Sequence, residues 1–166
     1  MNHAKGRCTV LATCLGLAAA CLGLSACGGS SSSGTASLSS FKSAFAADQA
    51  QFRQFGTQLG KSIAGAASKT DAALATEFSQ LSSRAQGEAA KLAELKPPAK
   101  YKPTVNKLTA AFKAIASDLS GISSAAVKHD ASAAKAASAK LVGAAESVKS
   151  SDGALSKPLG LTPPAG

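Results

Sequence analysis

Tryptophan is missing from this 166-residue chain, tyrosine occurs once and the only methionine is Met1. Six phenylalanines complete the aromatic set. All four cysteines lie within the first 27 residues. The remainder therefore offers neither a disulfide nor a thiolate metal site. Acid is scarce: 9 acidic residues stand against 18 basic ones, and none precedes Asp48. β-Branched and aromatic residues are few beyond residue 27, which disfavours sheet, while alanine, serine and lysine dominate. That composition predicts an all-α protein with a thin apolar core and close helix approach through alanine. Excess positive charge can mark a nucleic-acid binder, but the aromatic interleaving that stacks bases is absent, so no nucleic-acid partner is expected.

The first 26 residues read as an address. Lys5 and Arg7 lead into an uncharged run from Cys8 to Ala26, followed by small residues. This has the grammar of a secretory signal peptide. The run is nearly long enough to cross a bilayer, so a retained membrane helix is the competing reading. Its ending decides between them: Leu24-Ser25-Ala26-Cys27 resembles the lipobox of bacterial lipoproteins at all four positions. The resemblance implies removal of residues 1–26, a diacylglyceryl anchor on the Cys27 thiol and acylation, such as palmitate, of the new N-terminus. It also implies a location on the outer face of the cytoplasmic membrane, or in an outer membrane if the organism has one. Setting Lys5 and Arg7 aside leaves 16 of the 18 basic residues against 9 acidic ones, a net charge of +7. Residues 27–37, rich in Gly and Ser, form a flexible tether with a reach of roughly 16 Å across its eight central residues.

Apolar periodicity then predicts helices. Leu38, Phe41, Phe45, Phe52, Phe55, Leu59 and Ile63 share one face of a first helix over about 39–64, interrupted by Asp48. Ser68 and Asp71 fit a capping box opening a second helix, whose face carries Leu74, Phe78, Leu81, Ala85, Ala89 (or Glu88), Leu92 and Leu95. Arg84, Glu88 and Lys91 are spaced as a solvated ion-pair ladder. Pro97-Pro98 stops this helix, and Pro103 suits the first turn of a third. Val105, Leu108, Phe112, Ile115, Leu119, Ile122 and Ala126 form the cleanest seam in the chain. Lys128-His129-Asp130 is read as a turn with Asp130 as N-cap. The fourth helix carries Ala134, Ala137, Leu141, Ala144 and Val148, and Asp152-Gly153 ends it. The expected fold is an antiparallel up-down-up-down four-helix bundle over residues 38–151, with a tail over 152–166. The alternative is three helices, the third running unbroken over 103–150.

Chemistry is sparse. Gly56-Thr57-Gln58-Leu59-Gly60-Lys61-Ser62 ends like a phosphate-binding loop, but Phe55 stands where the first glycine belongs and the segment lies in a predicted helix. A helical-bundle metal site uses Glu-x-x-His, and His129 has Ala126 three positions earlier. No serine sits in a Gly-x-Ser-x-Gly elbow. No catalytic residue, metal or cofactor is therefore expected. Asp48, between Phe45 and Phe52, either reaches the bundle edge beside a lysine or belongs to a ligand site. A cavity lined by Phe52, Phe55, Phe78 and Phe112 would be the clearest sign of a ligand.

The paired-proline linker, the closing Leu159-Gly160-Leu161 and the overall texture resemble small, largely uncharacterised Ala/Ser/Lys-rich lipoproteins of actinobacteria. The resemblance transfers no catalytic residues. The expected function is a non-catalytic helical binding or structural module of the cell envelope, with a protein or small ligand as partner. The alternative is an enzyme or metal carrier whose site carries no recognisable motif. In the expected topology Lys96, Lys100, Lys102, Lys149 and Lys157 collect at the tethered end, partly offset by Glu94, Glu146 and Asp152. That end would meet anionic lipid or wall polymer.

Overall fold

A computed structural model describes residues 37–162. The residues that resemble a lipobox, with Cys27, the segment before Ser37 read above as a tether, and the last four residues lie outside the described residues. Four helices and no strand occur among them: α1 Leu38–Ala64, α2 Asp71–Glu94, α3 Lys102–Val127 and α4 Ala131–Leu159, with a single 3₁₀ turn at Ala66–Ser68.

The caps show why the chain breaks where it does. Ser37, assigned above to the tether, caps α1 by accepting from the Ser40 N–H at 3.2 Å. The capping box expected at Ser68 does not form. Ser68 closes the 3₁₀ turn by donating to the Gly65 carbonyl, and Thr70 caps α2 instead. The α3–α4 boundary is a true break, which excludes the single long third helix. Asp130 accepts from the Ala133 N–H at 2.9 Å. His129 takes φ of 54°, the left-handed conformation usually given to glycine. The Asp130 N–H then reaches back to the Ala125 carbonyl at 2.9 Å, closing α3.

One boundary is corrected. α4 does not stop at Asp152-Gly153 but runs on through Pro158 to Leu159, so the helical body extends past 151 and the tail shortens. Asp152, Leu155, Ser156 and Leu159 are all buried. Their burial holds the helix across Gly153, whose propensity cost is only about 1 kcal/mol. Gly160, at φ of 60°, ends it, with the Leu161 N–H on the Ser156 carbonyl at 2.9 Å.

Contacts at the two ends establish the antiparallel topology. At one end Phe41 of α1 stacks on Tyr101 from the α2–α3 connection, 5.5 Å between ring centres. At the other end His129, between α3 and α4, contacts the Asp71 carboxylate at the start of α2.

The helices do not pack equally. α2 lies tightly against α3, and α3 against α4. Ser82 and Ser123 donate across the first interface to the Ala116 and Ala75 carbonyls, each at 2.7 Å. A methyl placed on Gly121 would stand 3.3 Å from the Ala137 Cβ, which sets the closeness of the second. α1 approaches α2 less closely. It reaches the core through Phe41, Phe45, Phe52 and Phe55, all buried. Large side chains hold helix axes farther apart, and that spacing leaves a groove beside α1. The seam of α3 is buried at every expected position. The stripe of α1 is buried in its middle, while Leu38 and Ile63 at its ends are 49% and 51% exposed. The core cluster lies wholly within the four helices and their connections. A protein starting at Ser32 keeps every one of these contacts, since all of them lie within residues 37–162.

Candidate functional site

The gap between α1, α3 and α4 is a half-open groove of about 570 Å³. That volume lies in the range of ligand pockets, roughly 300–1,000 Å³. Its floor is apolar: Phe52, Phe55 and Leu59 from α1, Phe112 and Ile115 from α3, Val148 from α4. Phe112 ties the rings together, 4.7 Å from Phe52 and 6.0 Å from Phe55. Three of the four phenylalanines expected to line a cavity do so. Phe78 is instead buried in the core.

Polar residues gather at one end of the groove. Gln49, only 2% exposed, stands where the α1 stripe seemed to run through Asp48. Its Nε2 donates to both Asp152 carboxylate oxygens at 3.2 Å and to the Ser156 hydroxyl at 2.7 Å. Its Oε1 accepts from Arg53 at 3.0 Å, and Arg53 also donates to the Thr162 carbonyl at 3.2 Å. Asp152 is itself 2% exposed, and among the described residues no cation is in direct contact with it. Burial pushes its carboxyl above the ordinary aspartate range; the bonds from Gln49 and Ser156, and the charge of Arg53, pull it partly back. Sequence reasoning missed this network. Its only signal was a polar residue at a stripe position, and Asp48 drew the attention.

Asp48 is half-buried at the α1–α2 edge. Burial and the neighbouring Glu88 raise its carboxyl above the ordinary range, and Lys91 opposes them. Thus it does reach the edge beside a lysine. The solvated ladder on α2 is corrected: Glu88 is 3% exposed and paired with Lys91 at 3.2 Å, while Arg84 turns away to Gln54 and Gln58 of α1. Glu77 bonds Ser62 and Lys69, which hold it below the usual carboxylate range.

The lysines expected at the tethered end divide. Lys96, Lys100, Lys102 and Lys157 are exposed near the α2–α3 connection and the last turn of α4. Lys100 lies over the Tyr101 ring at 4.7 Å. Lys42 joins them, since a Cβ on Gly160 would lie 3.8 Å from its Nζ. Lys149 does not; it lines the groove. Two of the three acids expected to offset this end do not serve that role. Asp152 is buried, and Glu146 lies beside Lys107 in a shallow depression between α3 and α4.

His129 and Asp71 form an exposed pair. Among the described residues no group of three or more His, Cys, Asp or Glu is placed to hold a metal ion. No described helix is long and apolar enough to cross a membrane. Comparison of the chain with protein-family models, curated proteins and solved structures finds no match.

Proposed function

We propose that this chain is a lipid-anchored, extracytoplasmic lipoprotein of the cell envelope whose helical bundle is a non-catalytic binding module. The groove carries the binding part of this reading: an apolar, aromatic-lined cleft with a few converging polar groups is the ordinary form of a small-ligand site. The lipobox residues support the address. An N-terminal diacylglyceryl and acyl anchor at Cys27 would hold the bundle at the membrane.

The test uses a protein starting at Ser32 and the uncharged fluorescent probe N-phenyl-1-naphthylamine. Saturable binding at one site is expected. Gly56 lines the groove, and a side chain there would meet nothing within 4 Å. Gly56→Leu should therefore fill the cleft without straining the fold and weaken the probe by about tenfold or more. Absence of saturable binding would overturn the reading. Mass spectrometry of the membrane fraction tests the anchor: a lipidated Cys27 at the N-terminus is expected, and an intact chain starting at Met1 contradicts it.

The basic end is assigned a supporting role, contact with anionic lipid that adds to the lipid anchor. Each basic residue near such a surface contributes about 1 kcal/mol within a Debye length. The protein starting at Ser32 should bind anionic liposomes at low salt. Changing Lys96, Lys100 and Lys102 to Gln should weaken this severalfold, and equal binding by the triple variant would show those lysines to be solvated surface only. The enzyme reading would have to be built on His129 and Asp71, and turnover lost in His129→Ala would favour it.

A further inference from the structure

We propose that the groove takes a single-chain amphiphile with a monoanionic carboxylate head, its head between Arg53 and Lys149 and its tail along Phe55, Leu59 and Ile115. This rests on the groove being the binding site.

The helix register carries the assignment. Gln49 of α1 is bonded to Asp152 of α4, which fixes their level along the bundle. The two helices run in opposite directions. One turn on from Gln49 lies Arg53, and one turn back from Asp152 lies Lys149. Both steps lead the same way along the bundle, so the two cations stand at one level on opposite walls of the groove they both line. Beyond them the lining turns apolar, with Phe55 and Leu59 on α1, Ala145 on α4 and Ile115 on α3. The charged groups Arg53, Lys149 and Asp152 gather toward one end, while an apolar floor from Phe52, Phe112 and Val148 runs on to Leu59 and Ile115 with only Thr57 polar at the far end, which is the pattern of an amphiphile.

Accessibility decides the sign of the head. Arg53 and Lys149 are exposed. Asp152 is buried, with both carboxylate oxygens already accepting from Gln49. A head group arriving from solvent meets the two cations. Their charge less that of an ionised Asp152 leaves a local excess of one, which suits a monoanion better than a phosphate dianion. Arg53 spends its Nη2 on Gln49 and the Thr162 carbonyl, and its remaining guanidinium N–H groups offer donors to a carboxylate. Size sets the tail. The whole groove from Gln49 to Leu59 covers ten residue steps of α1, about 15 Å at 1.5 Å per residue, of which the six steps from Arg53 to Leu59, about 9 Å, lie beyond the head. A groove of this length and of about 570 Å³ holds one medium-length alkyl chain and not the paired chains of a phospholipid.

The test measures displacement of N-phenyl-1-naphthylamine from the protein starting at Ser32 by decanoate, decylammonium and 1-decanol. These share a chain and differ in the head. Decanoate should displace the probe about tenfold better than decylammonium, since two exposed cations favour one and oppose the other. Lys149→Gln and Arg53→Gln should each weaken decanoate roughly two- to fivefold and leave 1-decanol unchanged. Arg53→Gln also loses the bonds to Gln49 Oε1 and the Thr162 carbonyl, so Lys149→Gln is the cleaner variant, with helical circular dichroism as the check on folding. Equal displacement by all three ligands, unaffected by either substitution, overturns the anionic head while leaving the groove as a binding site. Tighter binding of decylammonium, lost in Asp152→Asn, overturns it in favour of a cation. Failure of all three to displace a bound probe overturns the single-chain occupant. Failure of the probe itself to bind removes the groove reading on which the proposal stands.

Discussion

Replacing Phe112 with alanine is expected to destabilise the bundle by about 3–5 kcal/mol, a large fraction of the roughly 5–15 kcal/mol that holds a small domain together. Phe112 is 1% exposed and contacts both Phe52 and Phe55. It is the α3 side chain on which α1 rests. The α2–α3 and α3–α4 interfaces rely on close backbone approach through small residues, whereas α1 is held by its rings. Loss of the Phe112 ring therefore leaves a void that close-packed neighbours cannot easily fill. Urea denaturation should show the full loss, and thermal unfolding should shift down on the order of 10–20 °C. Hydrogen exchange should locate it, with amides of α1 opening more than those of α2 and α3. A loss below about 1 kcal/mol, or exchange that rises equally in all four helices, would show that the rings are not what fastens α1.

Gln49→Leu is expected to cost about 3 kcal/mol at neutral pH, and the loss should shrink in acid. The substitution removes the amide that donates to both oxygens of Asp152 and leaves the carboxylate only Ser156, at 3.4 Å. A buried charge without a partner costs more than a neutral group. Burial already raises the Asp152 carboxyl above its ordinary value. A raised folded-state pKa means that its favourable contribution is fully present below the unfolded value, about 3.9, and is lost as pH rises through the folded value. Removing Gln49 takes away a bond that favours the charged form, so the folded value moves further up. The variant's deficit is therefore greatest where Asp152 is ionised in the parent protein. Near pH 3.5, with Asp152 protonated in both, it should fall to the roughly 1 kcal/mol of a neutral hydrogen bond. Urea titrations at the two pH values measure this. Gln49→Leu combined with Asp152→Leu and Ser156→Ala should recover most of the stability, because removing all three partners leaves no buried polar group of the network unsatisfied. An equal deficit at both pH values would rule out Asp152 as the group that Gln49 serves.

Helix type, number and order were legible because they depend on local physics. The three-and-four spacing of Val105 to Ala126 can face a core in only one way, and every one of those positions is buried. Pro97-Pro98 and the Asp130 cap act within a few residues of themselves. The end of α4 was not legible, since Gly153 and Pro158 argue locally for a stop and burial of Leu155 and Leu159 in the core overrides them. The turn at His129 carried a weak signal because a histidine took the conformation that glycine usually marks.

The sequence by itself determined an all-helical chain, its four segments, its alternating direction and the residues that resemble a lipobox. Only the tertiary structure decided which polar residue enters the core. Asp48 and Gln49 are neighbours on a helix that turns 100° per residue, so which of them enters the core depends on how α1 is rotated about its axis against its neighbours. Asp152 lies 103 residues from Gln49, and no local pattern links them. The groove has the same origin. Its volume is set by how far four phenylalanines hold α1 from helices that alanine and glycine bring together. That difference between interfaces exists only once all four helices are in place.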